Sequence, residues 1–477
     1  MGNKNPAFNP FLPSWEYIPD GEPHVFGDRV YLYGSHDRFG SYRYCLNDYV
    51  CYSAPLDDLS SWRYEGVIYE RLADPIHKNP NVGCLYAPDA TKGPDGRYYL
   101  FYCLSGYSVI SVAVCDTPAG KYEFYGHVHY PDGSLLGSKP GDEFLFDPAV
   151  ITEGDKTHLY YGFSSPAATD RSGAMGCILD SDMLTVLTKP TNVIPSKRLS
   201  EGTGFEDHAF FEASSIRKVG DVYYFVYSSE KHCELCYATS KDPLGGFVYG
   251  GVLVSNNDIG VDSYKRADMP TFYGGNNHGG MALLNGTWYI FYHRHTNGTC
   301  FARQACAEPI FIKEDGSIKQ AELTSCGLNG GPLPAKGRYP AYIACNLFTD
   351  KEKAYTGGVF APELWLSSEY PKITQDGYDG DENEGYILNM LDSATAGFKY
   401  FDFKGAKRIR ICTYGFPGGK IELRTSIGGE VVGGCDIIRS NYWDENEFDV
   451  NIPDGVHALY FTYRGPGQIH FKYFEII

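Results

Sequence analysis

The sequence predicts an all-β protein, a five-bladed β-propeller followed by a jelly-roll-like β-sandwich. Three observations carry that expectation. Five aromatic strand-like runs recur along the first two thirds of the chain: VYLYGS, YYLFYC, HLYYGF, YYFVYS and WYIFYH, with tyrosines at Tyr33, Tyr102, Tyr161, Tyr227 and Tyr292 spaced 59 to 69 residues apart. Each tyrosine is preceded, 13 to 15 residues earlier, by Asp20, Asp89, Asp147, Glu212 or His278 in turn. Long helical periodicity is absent. A repeat of this length, built from several short strands, marks a propeller in which each repeat is one four-stranded blade around a central channel. Placed on the innermost strand of each blade, the five polar residues converge on one axial cavity.

The repeats run from about residue 15 to about 320. Within them GPDGR (93–97), EGDK (153–156), VGDV (219–222) and LNGT (284–287) are glycine-containing turn signals between strand-like runs, and each predicts a hairpin. The Gly/Pro-rich stretch 326–340 breaks the repeat and reads as a linker. Beyond it KRIRICTYG, GKIELRTSI, HALYFTYRG and IHFKYFEII alternate as half-buried strands do, which predicts a sandwich over 341–477. The expected organisation is therefore a catalytic propeller over 1–325, a linker, and a C-terminal module.

Composition narrows the function. With 477 residues the chain has room for two cores. Its 40 tyrosines and 55 glycines suit a turn-rich β protein whose pockets stack on flat ligands. A net charge of −18, without any basic run, argues against nucleic acid and anionic membranes and leaves neutral ligands such as sugars unopposed. No run of 18 apolar residues is present, so no membrane-spanning helix is expected. The opening segment lacks the charged-then-apolar layout of an export signal, so the 14 scattered cysteines read as reduced thiols of a cytoplasmic protein. Cys233 and Cys236 form a C-x-x-C pair without a second pair or a helix start, so zinc or redox chemistry is the lesser reading there.

The repeated polar residues are the chemistry candidates. Asp20, Asp147 and Glu212 each sit among aromatic or apolar neighbours, where desolvation can raise a carboxyl pKa. Glycoside hydrolysis needs one ionised carboxylate to activate water and one protonated partner to supply the leaving group's proton. Asp before Pro or Gly is also a common turn former, so Asp20 and Asp147 taken singly have a structural reading too. Glu212 inside an apolar run is harder to explain structurally, because an unpaired buried Glu is costly. Asp89 reads either as a hairpin residue or as a hydroxyl binder, and His278 either as a hydrogen-bonded core histidine or as a functional one. Their common phase in the repeat favours function.

Residues 15–315 resemble glycoside hydrolase family 43, five-bladed propellers that remove pentoses from plant cell-wall polysaccharides. The matching stretches are Pro19 to His24 with TyrLeuTyrGlySer behind them, TyrAlaProAsp ending at Asp89, PheAspProAla around Asp147, PhePheGluAlaSer around Glu212, and AsnHisGlyGly around His278 before the last aromatic strand. The resemblance implies Asp20 as general base, Asp147 as the group that tunes and orients the acid, and Glu212 as general acid, with inversion of configuration. It implies that Arg303 reaches sugar hydroxyls and that His278 binds calcium on the axis, directly or through water. Tyr86 stands where tryptophan is common in the family, which shrinks the stacking platform, and His36 and Asp37 are expected to shape the subsite wall. The C-terminal region is similar to carbohydrate-binding modules of family 6, with Tyr442 and Trp443 as its aromatic pair. It reads equally as a binding module or as a structural brace. The expected activity is exo-hydrolysis of terminal α-L-arabinofuranose from arabinoxylan- or arabinan-derived oligosaccharides. β-Xylosidase activity and a non-catalytic glycan-binding propeller are the alternatives, and a family 32-like fructosidase is disfavoured because its Asn-Asp-Pro-Asn-Gly motif is missing.

Overall fold

A computed structural model describes residues 6–77, 83–165, 170–261, 270–350 and 370–477. Up to residue 310 the described chain forms five antiparallel sheets in sequence, four of four strands and the last of three. Each of the four predicted turn clusters joins the first two strands of its sheet: Asp89–Lys92 to Tyr98–Cys103, Ala149–Glu153 to Lys156–Tyr161, Phe210–Val219 to Val222–Ser229, and Met281–Leu284 to Thr287–His295.

The aromatic strands are apolar on both faces because each is buried on both. Side chains alternate across a strand, and the second sheet shows the consequence. Leu100 and Tyr102 pack into a core shared with Tyr33 and Tyr49 of the first sheet. Tyr99 and Phe101 point the other way, into a core shared with Leu159 and Tyr161 of the third. The same sharing joins the third sheet to the fourth through Tyr160 and Phe225, and the fourth to the fifth through Val226 and Ile290. The fifth then packs on the first through Phe291 and Leu32. The first strands of the five sheets adjoin in the same closed order, and a parallel bridge between Gly21 and Gly279 ties the last to the first. Sharing a core on both sides leaves no sheet face exposed at the joints, and full closure of the circuit removes the end sheets an open stack would have.

The repeat tyrosines are buried, and three of them have hydroxyls bonded to elements beyond their own strand, as burial favours. Tyr33 donates to the Pro118 carbonyl (2.6 Å), Tyr102 to Asp74 (2.8 Å) and Tyr227 to the His208 carbonyl (2.7 Å).

The C-terminal region forms two six-stranded sheets. The second half of the segment 326–340, expected as a linker, contributes strands to them. Leu333–Pro334 pairs with Thr395–Phe403 in one sheet, and Gly337–Pro340 pairs with Ile469–Ile476 in the other. Pro334 and Pro340 each end one of these short strands, where a missing N–H is tolerated. The C-terminal core is continuous with that of the fourth and fifth sheets: Phe398, Phe461 and Phe474 join one cluster with Tyr224 and Tyr292. At the junction the fully buried Lys399 ammonium contacts Asp258 and Glu322, each at 2.8 Å. Among the described residues no helix is long and apolar enough to cross a membrane.

Candidate active site

The first strands deliver their leading residues to one end of the central channel. There Asp20, Asp147, Glu212 and His278 line one cavity of about 380 Å3, together with Tyr86 and Arg303. Asp20 and Asp147 stand just ahead of strands that begin at Glu22 and Ala149. Both hold left-handed backbone, φ 58° and 44°, a region in which Asp is enriched but most residues are rare. Glu212 lies within Phe210–Val219, where the pairing shifts register on both sides of it, and Ala213 follows at φ 69°. An irregularity of this kind re-aims a side chain, here into the cavity. Backbone strain beside three carboxylates is characteristic of functional sites.

The carboxylates have different environments. Burial alone would raise the Asp20 carboxyl, but the Arg303 guanidinium at 3.0 Å outweighs it and holds Asp20 well below the usual range. Asp20 is therefore ionised. Glu212 is pushed well above the carboxylate range, first by burial and then by the charge of Asp147. It is the protonated member of the set. Asp147 is itself raised by burial, against the pull of His278. Its Oδ2 accepts the Ala213 amide at 3.0 Å and lies 3.5 Å from His278 Nδ1, so it is fixed beside the residue that follows Glu212. His278 is pushed up to about 9: burial opposes the charge, but hydrogen bonding and attraction to Asp147, with Asp20 and Glu22 beyond, overcome it.

Arg303 is held in place by Asp37. Its Nε and Nη2 donate to the two Asp37 oxygens at 2.9 and 3.0 Å, leaving Nη1 to face Asp20. Asp37 is fully buried and also accepts the Cys45 amide at 3.0 Å. It positions the arginine and does not reach the cavity itself. Tyr86 reaches the cavity with its ring against Phe146, centroids 5.4 Å apart.

Two expected substrate binders lie elsewhere. Asp89 is fully buried below the cavity, its oxygens accepting His24 Nε2 (2.6 Å) and the amides of Ala90 and Val150 (2.7 Å each). With its acceptors engaged and no solvent access, it ties the first three sheets together. Ala87 takes its place on the cavity wall. His36 lies in a separate surface depression with Arg38 and Asn47, its Nδ1 donating to the Asp48 carbonyl at 2.9 Å.

Several contributors were not legible in the sequence. Glu22, in the same ProAspGlyGluProHis run as Asp20, is buried beneath the cavity, with Arg217 at 2.7 Å and Ser215 at 3.1 Å on Oε2. Gly280 makes room for it, since a Cβ there would stand 2.3 Å from Glu22 Oε2. His293 follows the last aromatic run, and its Nε2 donates to the Asn276 carbonyl at 2.8 Å, which leaves Nδ1 to accept the Asp20 amide. Tyr44 and Cys45 join the cavity wall from the loop after the first hairpin, and Phe144, Phe163 and Phe211 complete its apolar side. Only the aromatic richness of the chain hinted at that lining.

Glu22 Oε1 and His278 Nε2 are buried atoms with no protein hydrogen-bond partner. They lie 4.0 Å apart, a gap that suits a shared water or a hydrated cation better than a direct bond. One carboxylate oxygen and one imidazole nitrogen are few ligands for calcium, which takes six to eight, mainly oxygens, so water would have to supply most of the sphere.

An all-β scaffold with three buried carboxylates of opposed protonation in a neutral-ligand cavity defines a glycoside-hydrolase type of site. Comparison with known proteins agrees. The profile of Glycosyl hydrolases family 43 matches residues 4–318, and the chain belongs to this family and is a glycoside hydrolase. It is 60% identical over 469 residues to a xylosidase/arabinosidase of Thermoclostridium stercorarium, covering 98% of both proteins. It is 26% identical to an arabinoxylan arabinofuranohydrolase of Paenibacillus polymyxa, over 98% of this chain and 73% of that one. The fold matches a crystal structure of a family 43 arabinoxylan arabinofuranohydrolase from Bacillus subtilis, with a TM-score of 0.52 at 22% identity, over 98% of this chain and 97% of that one. The β-propeller of this family is the fold of the present chain.

Proposed function

We propose that the protein is an inverting exo-glycosidase that releases terminal pentose, foremost α-L-arabinofuranose and also β-xylose, from arabinoxylan- or arabinan-derived oligosaccharides. The observation that carries this reading is the opposed protonation of Asp20 and Glu212 within one cavity. Asp20, ionised, takes a proton from the attacking water. Glu212, protonated, delivers its proton to the leaving oxygen. Asp147 keeps Glu212 protonated by like-charge repulsion, and the Nη1 group of Arg303 offers a further N–H to a sugar hydroxyl. The cavity is at the small end of ligand sites, which favours a chain end over a chain interior. The name of the 60% identical relative supports both sugars. The test is hydrolysis of nitrophenyl α-L-arabinofuranoside and β-xyloside, with proton NMR of the first-formed sugar. Release of the inverted anomer supports the reading, retention removes Asp20 as a base, and sugar binding without hydrolysis favours the non-catalytic alternative.

We read the five sheets as the five blades, over residues 1–325, and the two C-terminal sheets as a sandwich over 341–477, extended at its edges by the short strands at 333–334 and 337–340, similar to family 6 carbohydrate-binding modules. The continuous core and the buried Lys399 cluster support a bracing role for that module. Its aromatic pair is divided: Tyr442 is exposed, whereas Trp443 packs edge-on against Tyr414 at 4.5 Å. Truncation near Gly337 should give insoluble or heat-sensitive protein. A well-folded fragment that loses activity only on polymeric xylan would show a working binding module instead.

Calcium near His278 is part of the same reading, supported by the unpartnered Glu22 and His278 atoms. It would hold the axis and add positive charge beneath the cavity. Metal analysis of the purified protein, with melting temperature before and after chelation, tests it; no metal and no shift would remove it.

A further inference from the structure

On the fourth sheet, away from the cavity, lies a second cluster of ligating side chains. Glu234 and Cys236 alternate on the strand Glu234–Ser240 and so share one face. His208 meets them from the turn before Phe210–Val219. That turn is held by the Tyr227 hydroxyl on the His208 carbonyl, and the His208 ring stacks on Tyr249 at 4.8 Å. We propose that His208, Glu234 and Cys236 bind a borderline transition-metal dication, zinc(II) being the best match.

The donor set is the first reason. Imidazole nitrogen, carboxylate oxygen and thiolate sulfur are the three ligand types zinc combines, and three protein ligands leave its fourth position to water. His208, with 21% of its side chain exposed, gives that position access to solvent.

The geometry is the second. Sγ of Cys236 lies 3.7 Å from His208 Nδ1 and 3.5 Å from Glu234 Oε1. Zinc–ligand bonds of roughly 2.0–2.3 Å put ligand atoms roughly 3.3–3.8 Å apart in a tetrahedron. Both sulfur edges already fit. The third edge is the 2.6 Å hydrogen bond between Nδ1 and Oε1, which opens by about 1 Å when a metal replaces the proton.

Charge is the third. The metal binds the thiolate, so the Cys236 S–H bond breaks, an S–metal bond forms and the proton leaves to water. The proton between Nδ1 and Oε1 moves to His208 Nε2, which keeps the imidazole neutral; one carboxylate, one thiolate and this imidazole then neutralise the dication, which a largely buried site requires. Ser229 Oγ, donating to Glu234 Oε1 at 2.6 Å, orients the carboxylate from behind. Lys231, whose ammonium is 3.5 Å from His208 Nε2, opposes the metal and must swing outward. Its exposure permits that.

The experiment uses the full chain, stripped of metal and titrated with cobalt(II) alone as a spectroscopic stand-in for zinc. We expect one equivalent to produce a thiolate-to-cobalt charge-transfer band, with proton release and a rise in melting temperature. Cys236→Ser should abolish the band. His208→Asn, a milder change at a partly exposed position, should weaken binding by about a hundredfold or more, and Ser229→Ala by about tenfold, since outer partners alone are worth 10–100-fold. Wild-type protein that shows no thiolate band overturns the proposal. So does a band that survives both Cys236→Ser and His208→Asn, which would place the metal on other thiols. These residues do not line the cavity, so the result is independent of how the carboxylate site works.

Discussion

Two layers of acid and base side chains share the axis of this molecule, and they behave differently. The upper layer holds Asp20, Asp147, Glu212 and His278 at the cavity, and the lower holds Glu22, His24, Asp89 and Arg217 beneath it. Both are buried and both mix carboxylates with cations. In the lower layer Arg217 faces Glu22 and His24 faces Asp89, so each carboxylate has a close partner. In the upper layer the positive charge is unevenly placed: Arg303 is drawn to Asp20 and His278 to Asp147, and among the described residues no cation is paired with Glu212. Burial pushes both carboxyls of the cavity upward, and the unequal pairing decides that Asp20 stays ionised while Glu212 does not. An acid–base pair is built by withholding a counter-ion from one member.

The most severe way to break this contrast is to remove either end of the upper pair. Asp20→Asn and Glu212→Gln should each lower kcat by about a hundredfold or more, the scale of lost acid–base assistance. Single-turnover and steady-state rates on the folded variants check this, and near wild-type turnover in either removes that residue from the mechanism. External azide should rescue Asp20→Asn as a glycosyl azide.

A smaller effect is expected from loosening the arginine. Arg303→Lys keeps a charge but loses the two-pronged hold of Asp37, so the cation near Asp20 is no longer fixed. As the proposed base Asp20 must be ionised, and Arg303 depresses its pKa. The variant should therefore lose activity at higher pH than the wild type as pH falls. A loss of about tenfold in kcat/KM is expected, equivalent to about 1.4 kcal/mol of transition-state stabilisation. An unmoved acid limb in the pH profile would mean that Arg303 does not set the Asp20 pKa.

The opposite limb tests Asp147. As the proposed acid Glu212 must stay protonated, and the Asp147 charge is the second cause, after burial, of its raised pKa. Asp147→Asn should lower that pKa and bring the basic limb of kcat/KM to lower pH. If the basic limb stays in place while kcat falls, Asp147 orients the acid and does not tune it.

Much of this was legible in the sequence, and the failures have physical causes. The aromatic runs announced their strands because a strand buried on both faces needs apolar residues at every position, as Tyr98–Cys103 shows. Asp20, Asp147 and Glu212 were readable because each stands near the start of such a repeat. Asp89 was misplaced because counting back from the repeat tyrosine ignores turn length. The first hairpin turns between Phe26 and Arg29, the second between Lys92 and Tyr98. The same count therefore lands before the strand at Asp20 but on its first residue at Asp89, one layer deeper. The stretch 326–340 looked like a linker because its strands are two and four residues long, too short to alternate visibly. Glu22 carried no signal of its own, since nothing local reports that Arg217, far along the chain, will meet it.

The gentlest prediction concerns Asp89, where the contrast between layers is sharpest. Burial would raise its carboxyl, but His24 and Arg217 together hold it below the usual range, so it is ionised in the folded protein. Asp89→Asn removes that charge and keeps most of the shape. The same charge is one of the causes that push the neighbouring Glu22 up to about 7, after burial and against Arg217. Without it Glu22 ionises more readily and takes over the pairing of Arg217, so the lower layer compensates itself. The net cost should be about 1–2 kcal/mol, the scale of one hydrogen bond to a charged group, with kcat close to wild type. A group with a depressed folded pKa stabilises above its unfolded value and loses that contribution as pH falls through the folded one. The stability gap between variant and wild type should therefore be widest near neutral pH and narrow below about pH 4, the unfolded aspartate value. Melting temperatures of both proteins across that range, with kcat at neutral pH, decide the matter. A large fall in kcat at unchanged melting temperature would move Asp89 into the upper layer's chemistry and dissolve the distinction between the two.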